Sequence, residues 1–349
     1  MQTDQTIKRI EYIDAMRGVA MILVVYFHIA AYGFGSYEMG FNDVIERFRM
    51  PLFFFISGWV FYKAARIWDI QTVRSTISKK FKIQIIPTAV FLLLYLLVFD
   101  CLDFSFLGSD KKGYWFTFVL FEIFVIYIMA EALLNRRRHS AGEFRVMVVM
   151  ILLSASALYY SKYYTRYAEE LGCWKTILGL FSFVKIRHII FFWFGTFVKR
   201  HFDSFIRHTD NWFFMVFLLG IVITLTAFPQ VFSISGMEYF AYLAAGISGI
   251  TVIFTYFRKC QKLFSHQNRF GKMLQLIGRR TLEIYLVHYF FLPYHIEWLA
   301  VRYNLYESPV RCMLISLVLA SGVIAITMFV GSIIRRSPFL AKHLFGAKD

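Results

Sequence analysis

Apolar stretches of membrane-spanning length recur along this 349-residue sequence and leave few folds open to it. A helix needs about 20 mostly apolar residues to cross the hydrocarbon core of a bilayer, where it satisfies its own backbone hydrogen bonds. The sequence therefore predicts an all-α, polytopic transmembrane bundle of about ten helices. The stretches cover approximately residues 13–32, 50–65, 83–99, 114–134, 146–160, 177–199, 212–228, 239–257, 282–299 and 312–334.

The composition supports a membrane fold and argues against other classes. Hydrophobic residues make up 58% of the chain and aromatic residues 20%, which exceeds the apolar content of about one half in soluble proteins. The net charge is +16, but the basic residues fall in short clusters between apolar stretches, so nucleic-acid binding is not expected. Four cysteines without metal-ligand spacing predict neither a zinc site nor a disulfide framework. They are Cys101, Cys173, Cys260 and Cys312.

Lysine and arginine concentrate in alternate loops, as expected of cytoplasmic loops. Both termini are therefore predicted to be cytoplasmic, in a multi-pass protein of the cell membrane, which is the inner membrane in a bacterium. The intervening loops are acidic, mixed or nearly uncharged, as at Asp100, Asp103 and Asp110. The basic clusters comprise Lys8 and Arg9; Lys63, Arg66, Arg74, Lys79, Lys80 and Lys82; Arg136, Arg137 and Arg138; Lys199, Arg200 and Arg207; Arg258, Lys259, Lys262, Arg269, Lys272, Arg279 and Arg280; and Arg335, Arg336, Lys342 and Lys348.

The loops between the apolar stretches are short, which limits the domain organisation. None is long enough for a second folded domain, so residues 1–349 are predicted to form one membrane domain. It has a polar N-terminal segment over 1–12 and a short basic tail over 335–349. The first apolar run contains charges and no small-residue cleavage site, which indicates an anchor and not a signal peptide. The sequence predicts no particular oligomeric state.

The first stretch carries three charged or titratable side chains on one helical face. Steps of three or four residues lead from Asp14 through Arg17, Met21 and Val25 to His28. His28 follows Arg17 by eleven residues, which places it about 16 Å deeper in the membrane. Asp14 and Arg17 are interpreted as interfacial anchors or as functional groups. His28 either hydrogen-bonds a neighbouring helix or acts as a general base, which its near-neutral pKa favours.

Polar side chains in two other stretches leave packing and functional interpretations open. Tyr285 and His288 share a face of the ninth stretch, whereas Glu283 is offset from them. Ser57 precedes Gly58 in the second stretch, and the pair is interpreted mainly as a notch that lets another helix approach closely. Ser57 is not expected to be a hydrolase nucleophile, because the sequence contains no Gly-x-Ser-x-Gly motif.

Charged residues interrupt the sixth stretch and one enters the fourth. Lys185, Arg187 and His188 either attract an anionic group or mark a helix boundary, and the sixth stretch is predicted to be broken or re-entrant. Glu122, inside the fourth stretch, is interpreted as a polar contact within the bundle, since no second acid lies near it in sequence.

Five blocks, in order along the chain, resemble the signature of the acyltransferase-three family of membrane O-acyltransferases. The first, over residues 9–20 and 24–28, is the most specific of them. The second is a Met-Pro-Leu-Phe-Phe run that ends in Ser-Gly, over residues 50–58. The later blocks are Trp115-Phe116 after Gly113, the Phe-rich run into Gly195, and residues 278–288.

The resemblance implies a fold, a reaction and a set of site residues. Members of the family have about ten helices, and they transfer an acyl group, usually acetyl, from cytoplasmic acyl-CoA to a sugar hydroxyl of a surface or secreted glycan. By position, His28 becomes the catalytic histidine, Arg17 the essential arginine beside it, and Asp14 a supporting residue. The other residues that fall in or near the family blocks and are expected to support the site are Ser57, Trp115, Glu283, Tyr285 and His288.

The implied partners follow from the same resemblance. Acyl-CoA, expected to be acetyl-CoA, is a co-substrate, and no permanently bound cofactor and no metal are expected. The acceptor is a carbohydrate or a lipid-linked glycan, and membrane lipid surrounds the bundle. Arg17, at the cytoplasmic mouth, is expected to meet a CoA phosphate or to steady the thioester oxyanion, while His28 deprotonates the acceptor hydroxyl.

The sequence departs from the family pattern just before Pro87 of the third stretch. Members commonly show two arginines four residues apart there, and the equivalent residues of this chain are Lys80 and Gln84. Lys80 keeps a positive charge for a CoA phosphate, whereas Gln84 does not, and neither offers the bidentate fork of arginine. The donor is therefore expected to bind at these two residues, or at Lys79 and Lys82 instead.

Two other classes of function are compatible with a polytopic chain. A transporter or flippase for a glycan or lipid-linked sugar would use His28 in a proton relay. It predicts repeated halves and paired broken helices, and the sequence shows neither. A sensor or assembly factor that keeps the scaffold without activity is the other alternative, against which the joint presence of Asp14, Arg17 and His28 argues.

Overall fold

A computed structural model of the chain describes residues 10–37, 40–64, 66–101, 108–135, 140–166, 173–228, 230 and 237–346. Over these residues the regular secondary structure is helical, without a strand. The α-helices are α1 (Glu11–His28), α2 (Asn42–Phe61), α3 (Ile70–Lys80), α4 (Ile86–Val98), α5 (Trp115–Leu134), α6 (Ser140–Arg166), α7 (Cys173–Leu180), α8 (Ile189–Arg200), α9 (Phe202–Thr209), α10 (Trp212–Ala227), α11 (Glu238–Lys259), α12 (Arg269–Arg279), α13 (Thr281–Val287), α14 (Glu297–Arg302), α15 (Pro309–Ile334) and α16 (Pro338–Phe345).

In the described part of the chain, five short helical segments of other types lie at the breaks between these helices. Two are π-helices, and both directly follow residues that the sequence singled out. One, Ile29–Gly33, begins immediately after His28, and the other, Phe81–Ile85, begins immediately after Lys80. The three 3-10 segments are Lys111–Gly113, Phe183–His188 and His288–Phe290. Because π-helical turns are rare and occur frequently at functional sites, the π segments support His28 and Lys80 as candidate site residues.

Among the described residues, six helical segments are long and apolar enough to cross a membrane, which agrees with a multi-pass membrane protein. The pair α9 and α10, bent by 82°, makes a seventh if it is one broken span. These segments correspond to seven of the predicted stretches. The six are Glu11–Gly33, Ile70–Val98, Trp115–Leu134, Ser140–Lys162, Glu238–Lys259 and Pro309–Ile334.

The other three predicted stretches are charged or interrupted. The N-terminal half of α2 contains charged residues, and the ninth stretch is divided into α13, a 3-10 turn and α14. The prediction of a broken sixth stretch is confirmed, since α7 and α8 are separated by the 3-10 segment Phe183–His188. The break begins at Ser182, whose φ of 46° lies in the left-handed region. The count of about ten spans stays a prediction.

The cytoplasmic placement of both termini also stays a prediction. It depends partly on loop residues that lie outside the described part of the chain, namely Lys8, Arg9, Asp103, Arg136, Arg137, Arg138 and Lys348.

The described helices divide into two compact units, each built from distant segments of the chain. Unit 1 comprises Met1–Arg49, Arg207–Ala227 and Ile247–Phe329, and unit 2 comprises Met50–Ile206, Phe228–Gly246 and Val330–Asp349.

In unit 1, α1 and α12 pack with their backbones in contact. A methyl group added to Gly18 would lie 2.1 Å from the carbonyl oxygen of Leu274, and one added to Gly278 would lie 1.8 Å from that of Asp14. Only glycine permits so close an approach at these two positions. The contact aligns α1 with the short helix α13, which follows α12 after Arg280.

In unit 2, α2 and α8 meet in the same way. A methyl group on Gly58 would lie 1.9 Å from the carbonyl oxygen of Phe192, and one on Gly195 would lie 2.0 Å from that of Phe55. The predicted packing notch at Gly58 is therefore confirmed. Polar contacts add to this unit, because Arg200 forms ion pairs with Glu131 at 2.9 Å and with Glu143 at 2.8 Å.

Candidate active site

Two histidines from opposite parts of the sequence meet in unit 1. His28 is the last residue of α1 and is partly exposed, whereas His288, directly after α13, is fully buried. Nδ1 of His28 lies 2.9 Å from Nε2 of His288. The two rings are nearly parallel, at 9°, with centroids 5.1 Å apart. Of the residues predicted to support the site, His288 is thus in direct contact with the predicted catalytic histidine.

The surroundings of His288 determine where the protons of this pair lie. Nδ1 of His288 is 2.9 Å from the carbonyl oxygens of both Ile284 and Tyr285. Carbonyl oxygens only accept hydrogen bonds, so Nδ1 of His288 carries a proton, and in a neutral ring its Nε2 is then an acceptor. His28 must donate from Nδ1 to that acceptor. The lone pair of His28 is therefore on Nε2, the nitrogen that can take a proton from a hydroxyl group.

Aromatic rings surround this histidine pair. The ring centroid of His28 lies 5.1 Å from that of Tyr289, 5.6 Å from that of Tyr32 and 5.6 Å from that of Phe27. Tyr32 belongs to the π-helix that begins after His28. Sequence reasoning missed Tyr32 and Tyr289. The four-residue step from His28 to Tyr32 on one helical face, and the position of Tyr289 next to His288, were signals that could have found them.

Arg17 and Asp14 lie nearer the start of α1. Arg17 donates a hydrogen bond from Nη2 to Oγ1 of Thr281 over 2.9 Å, and Thr281 is the first residue of α13. Asp14 is partly exposed, and its backbone faces Gly278 in the contact between α1 and α12. Because α1 is one continuous helix from Glu11 to His28, the eleven residues between Arg17 and His28 correspond to a rise of about 16 Å.

The remaining predicted residues of α13 are buried. Glu283 is 2% exposed and Tyr285 is 6% exposed. The ring of Tyr285 lies 6.2 Å from that of His288, which confirms that these two residues share a face. The helices α1 and α13, with the 3-10 turn that follows α13, thus bring Asp14, Arg17, His28, Glu283, Tyr285 and His288 into one unit.

The predicted donor-binding residues belong to unit 2. Lys80 is partly exposed, and its Nζ lies 3.7 Å from the ring centroid of Phe124 and 5.5 Å from that of Phe61. Lys79 and Lys82 are exposed on either side of it. Such a cation–π contact holds the Lys80 ammonium in place without neutralising its charge.

Gln84 differs from these lysines because it lies within the π-helix and is only 9% exposed. Its backbone oxygen accepts a hydrogen bond from Oγ1 of Thr88 over 2.6 Å. The structure therefore places an uncharged, buried amide one turn beyond the exposed lysines, where the family pattern has a second arginine.

A basic and aromatic cleft also belongs to unit 2, and sequence reasoning did not single it out. Arg66 lies there over the rings of Phe61, at 4.9 Å, and Trp68, at 5.2 Å. Burial lowers the pKa of Arg66. The same phenylalanine contacts Lys80, so one ring links two cations. The cleft is lined by Phe61, Tyr62, Lys63, Arg66, Trp68, Tyr127, Glu131 and Arg200.

Ser57 and Trp115 are in unit 2 as well, and not in the unit that holds the histidine pair. Ser57 is partly exposed, beside the packing notch. The ring of Trp115 stacks on that of His188 at 6.1 Å and lies 5.0 Å from Nζ of Lys185. His188 also stacks on Phe54 at 5.0 Å. These contacts surround the break in the sixth stretch with aromatic rings and positive charge.

The described residues contain no group of three or more His, Cys, Asp or Glu side chains that could hold a metal ion.

The described helices define a multi-pass membrane protein with a histidine pair at the end of its first helix. The acyltransferase-three family model, described as an acyltransferase domain, matches residues 10–336. The chain belongs to this family, and the resemblance found in the sequence is confirmed. No curated protein matches the chain significantly, and no solved structure does.

Proposed function

We propose that this membrane acyltransferase is an O-acyltransferase. It moves an acetyl group from cytoplasmic acyl-CoA to a sugar hydroxyl of a cell-surface or secreted glycan or of its lipid-linked precursor. The observation that carries the proposal is the contact between His28 and His288, because it leaves Nε2 of His28 as a base. A sugar hydroxyl needs a base to become a nucleophile at neutral pH.

The reaction requires one proton carrier, and His28 supplies it. Nε2 of His28 takes the proton of the acceptor hydroxyl while the hydroxyl oxygen attacks the thioester carbonyl. The tetrahedral intermediate then collapses, its carbon–sulfur bond breaks, and the CoA thiolate takes the proton from His28. His288 accepts the hydrogen bond from Nδ1 of His28 throughout. It is a positioning residue that fixes the ring orientation and the tautomer.

Arg17 supports donor binding in this proposal. It lies near the start of α1, with its guanidinium held by Thr281, and is separated from His28 by a rise of about 16 Å. That separation suits a contact with a CoA phosphate better than a contact with the reacting carbonyl, since the long pantetheine arm of CoA separates its phosphates from the thioester. Asp14, one turn earlier, supports Arg17 from the same helix.

Lys80 is the second proposed donor contact. Its ammonium group is partly exposed and rests on the ring of Phe124, so its charge is available for a phosphate. Lys79 and Lys82 add positive potential, and the buried amide of Gln84 contributes no charge. The glycan acceptor is expected to need a polar cavity, because a sugar cannot react in lipid.

The direct test is acetyl transfer by membranes that contain the His28→Ala variant. Wild-type membranes should move labelled acetyl from acetyl-CoA to carbohydrate, and His28→Ala should lose this transfer while remaining inserted and folded. His343→Ala, which changes an exposed histidine of α16, is the matched control and should retain activity. Near-normal turnover by His28→Ala would exclude the mechanism. Comparing glycan acetylation by mass in cells with and without the chain would identify the acceptor and the acyl group.

A transporter or flippase is the second candidate, favoured by the breaks in the sixth and ninth stretches. Broken helices often surround the central site of transporters, and the two histidines would then relay protons. The sequence contains no repeated halves, which argues against this candidate. Labelled acetyl-CoA separates the two: proton-linked sugar uptake without transfer of the label to carbohydrate would support the transporter.

A further inference from the structure

Arg49 is a buried arginine of α2, in the part of that helix (residues 42–49) that belongs to unit 1. Arg49 is only 6% exposed, and its Nε and Nη1 atoms are buried and meet no hydrogen-bond partner among the described residues. A buried cation is costly unless it is paired, and buried polar groups in folded proteins are almost always hydrogen-bonded. Donors kept in this state are suited to a ligand that accepts hydrogen bonds and carries negative charge.

The position of Arg49 shows which ligand group it can meet. Its guanidinium carbon lies 3.7 Å from the ring centroid of Phe27. Phe27 directly precedes His28, and their ring centroids are 5.6 Å apart. A cation–π contact holds the guanidinium but uses none of its N–H donors. One phenylalanine ring therefore links a buried cation with unused donors to the proposed catalytic base.

The proposed reaction produces a negative charge close to His28. When the acceptor oxygen attacks the thioester, the carbonyl oxygen becomes an oxyanion, and fixed donors aimed at it usually supply a large part of catalysis. Arg17 is about 16 Å away along α1 and is held by Thr281. Arg47, two residues before Arg49, is partly exposed and donates to the backbone oxygen of Leu225. Of these three arginines, Arg49 is the buried one, and it contacts Phe27, the residue beside His28.

We propose that Arg49 is a catalytic residue that binds the oxyanion of the tetrahedral intermediate beside His28. This inference rests on the proposed acyltransferase function. It assigns the oxyanion to α2 and leaves Arg17 to the donor phosphates. It also accounts for the buried donors, because their partner is present only during the reaction.

Two CoA analogues of nearly equal shape test the assignment by binding. S-carboxymethyl-CoA places an anionic carboxylate near the position of the thioester carbonyl, and S-carbamoylmethyl-CoA places a neutral amide there. In the wild type, the carboxylate should bind more tightly than the amide. Arg49→Met should reduce binding of the carboxylate by about 10- to 100-fold, as for a lost hydrogen bond to a charged group, and leave binding of the amide nearly unchanged.

Two further variants separate this role from a structural one. Arg49→Lys keeps a charge without the planar fork, so it should preserve part of the preference for the carboxylate and lower kcat with little change in KM. Should Arg49→Met fail to accumulate in membranes, the ratio of the two affinities in Arg49→Lys replaces it. Arg47→Met, on the same helix, should leave the ratio at its wild-type value.

Each other outcome has a definite meaning. Arg49→Met and Arg49→Lys could weaken binding of the two analogues by the same factor, or bind both as tightly as the wild type does. Either result leaves the ratio of affinities unchanged and would overturn the role of Arg49, while the proposed function would stand. If wild-type protein binds neither analogue and transfers no acetyl group, the proposed function itself fails, and the assignment of Arg49 fails with it.

Discussion

Arg17 of α1 donates a hydrogen bond to Oγ1 of Thr281 over 2.9 Å and thereby links the first helix to the start of α13. The two residues are separated by 264 positions in the sequence. The link holds the guanidinium near the start of α1, and it predicts that Thr281 affects how the acyl donor binds.

Thr281→Val should raise KM for acetyl-CoA by about tenfold, because a hydrogen bond to a charged group contributes about 1.5–3 kcal/mol. The valine has nearly the same shape but offers no acceptor to Arg17. Initial rates at varied acetyl-CoA concentration measure the change, and kcat should fall much less than KM rises. Thr281→Ser keeps the hydroxyl and should behave as the wild type. A Thr281→Val protein with normal KM would show that this hydrogen bond does not orient Arg17 for the donor.

His288→Ala should lower kcat by about 100-fold, within the range expected when a general base loses its alignment. Without the acceptor at Nε2 of His288, the ring of His28 is free to rotate and to change tautomer. His288→Gln places an amide oxygen near the lost nitrogen and should recover part of the rate. The pH dependence of kcat should also change in His288→Ala, which a purely structural defect would not cause. Wild-type kcat in His288→Ala would contradict the tautomer assignment.

The first helix shows what the sequence could predict. Steps of three and four residues put Asp14, Arg17 and His28 on one face, and the structure has one continuous α-helix from Glu11 to His28. The π-helix after His28 was not predictable, since it adds a residue to the turn without changing the apolar pattern. The contact with His288 joins residues 260 positions apart, and a single sequence contains no information on such a pairing.

The second helix shows why the apolar pattern of the sequence does not identify Arg49. The predicted apolar stretch begins at Met50 and therefore excludes the charged residues before it. The structure begins α2 at Asn42 and buries Arg49 inside it. A criterion based on apolar runs rejects a buried charge, although charges inside a membrane bundle are often functional. The same criterion places the third stretch at residue 83, whereas the helical segment begins at Ile70.

Gly18→Ala should destabilise the protein by about 2 kcal/mol, the usual cost of overpacking. The added methyl group would lie 2.1 Å from the backbone oxygen of Leu274, and backbone cannot move aside as a side-chain end can. Gly278→Ala should have a similar effect, because its methyl group would lie 1.8 Å from the oxygen of Asp14. Thermal unfolding in detergent measures the loss of stability.

The control is Gly322→Ala, whose added methyl group meets no atom within 4 Å. This substitution should be neutral or slightly stabilising. Equal melting temperatures for all three variants would show that α1 and α12 do not require glycine at their contact.

Lys80→Ala should raise KM for acetyl-CoA by about fivefold at low salt, the effect of losing a partly exposed ion pair. The ammonium of Lys80 is held on the ring of Phe124 at 3.7 Å, so less side-chain entropy is lost when it binds a phosphate than for the exposed Lys79 and Lys82. Lys80→Arg should keep or lower KM, because a guanidinium offers a bidentate fork to phosphate. Salt should reduce the difference between Lys80→Ala and the wild type, since added ions screen the contact.

Lys79→Ala and Lys82→Ala are the matched controls and should change KM less than Lys80→Ala. If their effect is larger, the donor is bound by the two exposed lysines instead, and the departure from the arginine pair of the family has moved the donor contact along the helix.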